Sequence, residues 1–275
     1  MEDIRQKNES DDLKVTDTRD KIRASEQSFK EVYSVKMRFG NHLMRYSDEK
    51  LPNMYDHNQF LPEDQQDIPM TEEFDDAVSY QKEKGLHFIK YESRTKLPEI
   101  LFAKLKEKYG IECDTTFTMY LPEKDILKWK INENVEVYDI HDDAPKIVKD
   151  ITGIEHENYA KICGEDFLLR KVRRETDAAI GDRDYHYLVA YLDGTAVGAC
   201  YAFAKDGCIQ IDDLIVNKSA RKKYVATTLL AYIADNYDGT MYLHADEDDT
   251  PKDMYAKMGF EIIDVLYEYS ASWDK

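Results

Sequence analysis

Residues 211–230 read I-D-D-L-I-V-N-K-S-A-R-K-K-Y-V-A-T-T-L-L, and few local structures satisfy that order. Leu214, Ile215 and Val216 form an apolar, β-branched run that fits a strand. Asn217, Lys218, Ser219 and Ala220 interrupt it with polar and small residues. Val225, Leu229 and Ile233 then recur every fourth residue, with Leu230 and Ala234 beside them, which is the period of a helix packed on one side. The stretch is therefore strand, short turn, helix, and Arg221, Lys222 and Lys223 fall in the turn and the first helical positions. A helix start already carries unpartnered N–H groups and the positive end of the macrodipole. Three cations there oppose ordinary helix design, unless an anion such as a pyrophosphate docks on those amides. The plainer reading is a solvated basic surface.

The spacing Arg221-x-x-Tyr224-x-Ala226 after an apolar strand resembles the acetyl-CoA signature of GNAT-type N-acetyltransferases. That signature is Gln or Arg, two residues, Gly, one residue, then Gly or Ala; here Tyr224 replaces the middle glycine. Downstream, M-Y-A-K-M-G-F over residues 254–260 resembles the family's helix that ends in Tyr-x-x-x-Gly-Phe. The two stretches stand in the family's order and flank a strand over residues 241–244. The resemblance covers residues 132–275.

The chain has 275 residues, which suits two domains, each large enough to bury a core. We expect a charged N-terminal segment over residues 1–25, an α/β domain over 26–130 and the GNAT-like domain over 131–275. Hydrophobic residues make up 42% and charged residues 34%, with a mean hydropathy of −0.67, the balance of a water-soluble globular chain. A formal net charge of −18 argues against a nucleic-acid binder, because phosphate contacts need a basic face. In so acidic a chain, residues 214–234 hold no acidic residue, which makes Lys218, Arg221, Lys222 and Lys223 a basic island. Residues 1–25 lack the apolar core of a signal peptide, and no apolar run reaches the roughly 18 residues of a membrane span. Cys113, Cys163, Cys200 and Cys208 form no C-x-x-C pair, so a metal or disulfide framework is not expected. A cytoplasmic chain with reduced thiols fits these features. They leave a homo-oligomer open.

In chain order, residues 1–25 suit either a surface helix or a loose tail. Alternation over residues 31–46 predicts a hairpin turning at Gly40 and Asn41, with a further strand over 54–61. A helix follows over 71–84, capped by Thr71 and stopped by Gly85, then a strand over 86–91. A second helix over 97–109 begins at Pro98 and stops at Gly110, before a strand over 113–121. The region reads as a degenerate copy of the downstream fold or as an unrelated α/β lid. From residue 135 the expected order is a strand to Ile140, then a helix capped by Asp142 or Asp143 and ending near Ile151. Gly153 separates it from a second helix within 158–180. A hairpin through Asp193 and Gly194, the strand over 208–216 with its motif helix, and a fifth strand over 240–245 complete the sheet. The last helix has Thr250, Pro251 and Asp253 in a capping arrangement and ends at Gly259; a strand over 260–269 follows. The fold class is thus α/β, with a mixed twisted sheet flanked by helices in the C-terminal half.

The resemblance implies an acetyl-CoA-dependent N-acetyltransferase acting on a primary amine of a small molecule or peptide, through a tetrahedral intermediate. It assigns the thioester carbonyl and pantetheine to the amides of Leu214, Ile215 and Val216. The pyrophosphate falls to Arg221, Lys222, Lys223, Tyr224, Val225, Ala226 and Thr227. Preorganised amides of this kind are typically worth about 3–4 kcal/mol in the transition state. Tyr224 in place of glycine needs no positive φ if it lies in the first helical turn. Tyr255 matches the family's general acid for the departing thiolate, or else packs in the core. The proton of the amine falls to Asp213, or to Asp212 on the opposite face, with His244 as a further candidate. The run Asp246, Glu247, Asp248, Asp249 reads as an attractor of a cationic acceptor, a hard-metal site, or simply a charged helix start. The competing functional class is a non-catalytic acyl-CoA-binding module that keeps the groove.

Overall fold

The computed structural model describes residues 2–64, 67–122, 129–248 and 251–273, with side chains from residue 14. Helix α1 is Glu2–Tyr33, followed by β1 (Val35–Phe39), β2 (Leu43–Ser47), β3 (Phe60–Pro62), α2 (Thr71–Glu83), β4 (Phe88–Ser93), α3 (Glu99–Tyr109) and β5 (Glu112–Tyr120). Then come β6 (Val135–Asp139), α4 (Ala144–Cys163), α5 (Glu165–Gly181), β7 (Tyr185–Leu192), β8 (Thr195–Lys205) and β9 (Cys208–Val216). The chain closes with α6 (Val225–Asn236), β10 (Thr240–Asp246), α7 (Pro251–Lys257) and β11 (Glu261–Ser272). Two compact units result. The first holds Met1–Glu26, Met119–His244 and Asp253–Ile263; the second holds Gln27–Thr118, Ala245–Lys252 and Asp264–Lys275.

In the first unit the strand order is β10-β9-β8-β7-β6. Only the β9–β10 pair is parallel; the other three are antiparallel. Side chains alternate across a strand, and β7 shows where each face leads. Tyr187 bonds Glu155 of α4, whereas its neighbour His186 stacks on Tyr237 at the end of α6. Helices therefore cover both faces. Ile22 of α1 packs with Cys208, Tyr242 and Ile263, so the N-terminal segment is a docked helix. The second unit orders its strands β1-β2-β3-β4-β11-β5. Phe74, Ala77 and Val78 of α2 and Leu105 of α3 pack there against Ile89, Tyr91, Tyr269 and Ala271.

The local structure departs from the sequence reading at five places. Residues 31–33, expected in a strand, are the last turn of α1, where Gln27 bonds Glu31 and Phe29 meets Tyr33 at helical spacing. The strand expected over 54–61 shrinks to β3, because the Asn58 amide bonds the carbonyls of Leu51 and Met54 and holds the segment in turns. Helix α2 is capped one residue early, at Met70, whose N–H donates to Glu73 at 3.0 Å. Gly153 lies inside α4; one helical glycine costs only about 1 kcal/mol against alanine, and the break comes at Gly164, with φ 80°. Tyr224 is left-handed, as described below. Asp193 and Gly194 do form the expected turn, both with positive φ. Thr250 lies outside the described residues, so its capping role is left as an expectation.

Candidate functional site

The site begins where β9 loses one neighbour. Its ladder with β10 runs from Thr240↔Cys208 to Leu243↔Ile211 and ends there. On the other side, the β8 register passes from Tyr201↔Asp212 to Ala199↔Ile215, so Asp213 and Leu214 stand opposite the single residue Cys200. This is a β-bulge, and Asp213 takes φ 45° within it. Beyond the bulge, Ile215 and Val216 pair with β8 again, and residues 212–216 have left the β10 ladder. The strand parts from β10 there, with the Asp213 N–H turned to Asp212 Oδ1.

The segment that follows is braced and its donors are open. Asn217 donates its N–H to Val197 and accepts from Asn158 of α4. A 3-10 turn, Lys218–Ala220, leads to Arg221, Lys222 and Lys223, all exposed. Lys222 and Tyr224 have φ 64° and 62°, the left-handed conformation that glycine takes without a Cβ penalty. Each costs on the order of 1–2 kcal/mol for a side-chain-bearing residue. The expectation that Tyr224 would sit in an ordinary helical conformation is therefore corrected: the loop keeps a glycine-like path with a tyrosine on it. Neighbouring contacts hold that path. Lys130 lies 4.6 Å from the Tyr224 ring centroid, Asn132 donates to the Lys223 carbonyl, and Thr227 donates to Lys130. Among the described residues, the amides of residues 222–227 donate to no protein group. Val225 can sit this close to the sheet because Gly198 lies beneath it; a Cβ there would approach Ile215 O to 2.9 Å and Val225 Cγ1 to 3.0 Å. Arg221 is partly engaged, its Nε donating to Val216 O at 3.3 Å. Free amides beside exposed cations at the start of α6 suit a diphosphate.

Asp213 does not stand alone. Its Oδ2 accepts from Lys171 Nζ at 2.5 Å and from the Tyr201 hydroxyl at 3.2 Å, while Oδ1 has no partner among the described residues. Lys171 also reaches Glu175 at 2.9 Å and Glu155 at 3.7 Å. Tyr187 donates to Glu155 Oε1, and the buried Oε2 has no partner among the described residues. One ammonium thus serves three carboxylates. Burial and the repulsion of Asp213 and Glu155, only partly offset by Lys171, push Glu175 up to about 8. Burial likewise raises Glu155. Burial alone would lower Lys171, but Glu175, Asp213 and Glu155 together hold it well above the usual ammonium range. The sequence reading missed Glu155, Lys171 and Glu175. Their signal was present: Lys171 and Glu175 fall at helical spacing within the stripe Leu168, Val172, Thr176 and Ala179 of α5, where an exposed charge does not belong.

Tyr255 is buried, 8% exposed, with its ring edge-on to Phe260. His244 is tied to Glu26 of α1 at 2.8 Å, an arrangement of structural kind. In the second unit, Asp246, Glu247 and Asp248 line a cavity of about 540 Å³ with Cys113, Asp114, Thr115, Thr116 and Glu268. Asp246 accepts there from Thr116 at 3.1 Å; Asp249 lies outside the described residues. No helix among the described residues is long and apolar enough to cross a membrane.

Residues 148–260 match the model of the acetyltransferase (GNAT) family. No curated protein matches the chain. Among solved structures, a functionally unknown conserved protein from Staphylococcus epidermidis ATCC 12228 is 20% identical with a TM-score of 0.74, covering 89% of this chain and 97% of that one. A GCN5-related N-acetyltransferase from Kribbella flavida is 13% identical with a TM-score of 0.65, covering 92% and 95%. A tandem GNAT protein from the clavulanic acid biosynthesis pathway is 12% identical with a TM-score of 0.52, covering 84% and 78%. At these identities the likeness is one of fold, and it fits a two-domain arrangement. Over residues 148–260 the chain matches the GNAT acetyltransferase family, and its fold is that of solved GNAT structures.

Proposed function

We propose that this protein transfers an acetyl group from acetyl-CoA to a primary amine of a small molecule or peptide. The observation that carries the reading is the parted strand β9 followed by a left-handed loop whose amides, at residues 222–227, lack protein partners. The backbone of Lys222, Lys223, Tyr224, Val225, Ala226 and Thr227 would hold the diphosphate, with Arg221, Lys222 and Lys223 adding charge. Leu214, Ile215 and Val216 would orient the thioester on the freed edge of β9, their amides facing its oxygen. When bound, acetyl-CoA supplies the activated acyl carbon.

The amine nitrogen forms the new C–N bond and the C–S bond breaks. The amine's proton passes to Asp213, whose Oδ1 is open while Oδ2 is held by Lys171. Tyr255 returns a proton to the thiolate. A tyrosine near 10 giving a proton to a thiolate near 8.5 is uphill by about 2 kcal/mol, a barrier that positioning can lessen. The second unit, in this reading, is a degenerate copy that does no chemistry.

Calorimetry with acetyl-CoA, followed by an acetylation screen of polyamines, amino acids, aminoglycosides and peptides, tests the proposal. Tyr255→Phe should lose most turnover while binding acetyl-CoA as before. No heat at millimolar acetyl-CoA would sink it. The Lys171–Asp213 ion pair favours a second reading, a non-catalytic acyl-CoA-binding module, since it occupies one face of the proposed base. Tight acetyl-CoA binding with no amine ever turned over would decide for that module.

A further inference from the structure

Among the described residues, two groups of side chains in the first unit bring ligating atoms together: Glu155, Glu175 and Asp213, and separately Asp139, His141 and His186, each set within 4.8 Å. The first is already served by the ammonium of Lys171. The second has no lysine or arginine bonded to it among the described residues, and its ligand chemistry is different. We propose that Asp139, His141 and His186 bind one divalent transition-metal ion of the zinc class. The two imidazoles hold the ion, Asp139 supplies negative charge, and water completes the coordination.

The chain brings these residues together through its strand ends. Asp139 is the last residue of β6, His141 lies two positions on, and His186 is the second residue of β7, which pairs antiparallel with β6. Because Tyr185 and Tyr187 belong to one face, His186 is turned to the other, stacked 4.1 Å from Tyr237. The hydrogen bonds then fix each imidazole. His186 Nδ1 faces Asp139 Oδ2 at 2.6 Å, and a carboxylate only accepts, so Nδ1 carries the proton and Nε2 keeps a lone pair. His141 Nε2 faces the Tyr185 carbonyl at 3.1 Å, so the same argument leaves Nδ1 of His141 with the lone pair. Donation of one ring N–H to a carboxylate or carbonyl is the usual support of a metal-binding histidine. The two rings lie edge to face with centroids 5.5 Å apart, and a ring nitrogen of each lies within 4.8 Å of one on the other.

Asp139 is held as firmly. It is 7% exposed and accepts from Tyr237 at 3.1 Å and from the His141 N–H at 3.3 Å. Its own N–H donates to Asp142. Imidazole nitrogen suits zinc, nickel or copper, whereas calcium and magnesium want oxygen. An ion there would tie the edge strand β6 and the entry to α4 onto β7.

The test is zinc titration of the full chain by calorimetry, with magnesium and calcium as controls and a thermal melt beside each. Cys163 is exposed and His156 lies near Glu165, so the titration is run in a Cys163→Ser, His156→Ala background. The expected result is one equivalent of zinc bound at about micromolar affinity, a raised melting temperature, and no response to magnesium or calcium. His141→Asn leaves the Asp139–His186–Tyr237 bonds in place and should weaken zinc by about 10-fold or more. His141→Asn with His186→Asn should abolish it, and cobalt bound to the parent background should give a visible absorption that the double variant lacks. Absence of zinc heat in the folded parent, or unaltered affinity in His141→Asn, overturns the proposal.

Discussion

Each unit buries a lysine among carboxylates, and the two settings resolve oppositely. In the first unit Lys171 stands among Glu155, Glu175 and Asp213. In the second, Lys90 pairs with Asp56 and Glu268, and Glu92 lies nearby. Around Glu92, however, further cations gather: Lys30 bonds it at 2.9 Å, and Arg94 contributes while reaching Asp264 at 3.7 Å. Burial would raise Glu92, but Lys30, Lys90 and Arg94 outweigh it and hold it below the usual carboxylate range. Glu175 is as deeply buried and, among the described residues, is offset by Lys171 alone, so it rises to about 8. Depth is shared; the supply of cations differs. A balanced charged core behaves as scaffold, whereas one short of cations holds protons, and the second kind sits beside the bulge of β9.

The largest effect should come from removing the lysines. Lys171→Met takes the ammonium away from Asp213, Glu155 and Glu175 and should cost about 3–5 kcal/mol at pH 7. Lys90→Met leaves Glu92 with Lys30 and Arg94, so about 1–3 kcal/mol is expected. Urea denaturation of both variants at pH 7 and pH 5 separates the two settings. At pH 5 the cost at Lys171 should shrink, because Glu155 and Glu175 take up protons readily there, while the cost at Lys90 should hold. Equal costs with equal pH dependence would erase the distinction between the two cores.

The glutamates give the next test, and its slopes have opposite sign. Folded Glu175 keeps a proton up to about pH 8 that the unfolded chain releases near 4.5. Its contribution to stability is therefore full below about 4.5 and is lost as pH rises through about 8. Glu175→Gln removes that loss, so the variant should gain on the parent from about pH 5 to about pH 8 and level off above it. Glu92 is depressed in the folded state, so its contribution is present above the unfolded value and lost as pH falls through its lowered one. Glu92→Gln should cost about 1–3 kcal/mol at neutral pH and little in acid. Stability curves that run parallel for the two variants would contradict the assignment.

Much of the first unit was legible because its signals are local. Alternation marked β7 and β8, Asp193 and Gly194 marked their turn, and β9 emerged with the bounds 208–216 that the apolar pattern gave. The sequence offered the motif loop as a place for an anion, but its left-handed Tyr224 did not show there: a tyrosine carries no signal for positive φ, and Lys130 and Asn132 brace it in the fold. Gly153 misled because a glycine ends a helix only where the chain must turn, and that place is Gly164. The Lys171 cluster was hidden for a different reason. Glu155 and Glu175 lie on different helices and Asp213 on a strand, so their meeting is a product of packing rather than spacing. The same holds for Asp139 and His186, joined across β6 and β7.

The smallest effect compares one partly exposed aspartate from each setting. The Asp56 side chain is 59% exposed, so its pair with Lys90 is screened by water and salt, and Asp56→Asn should cost about 0–1 kcal/mol. Asp213, at 22%, is less exposed, yet its removal should cost no more. It takes one negative charge from a cluster that has too many, and Lys171 then serves Glu155 and Glu175 better. Asparagine also tolerates φ 45° as well as aspartate does, so the bulge keeps its shape. Asp213→Asn should therefore fold within about 1 kcal/mol of the parent. If Asp213 takes the amine's proton, acetyl transfer should fall by about 100-fold or more, with acetyl-CoA affinity unchanged. A stability loss of several kcal/mol instead would mean that Asp213 is a structural partner of Lys171, and that both buried lysines are scaffold after all.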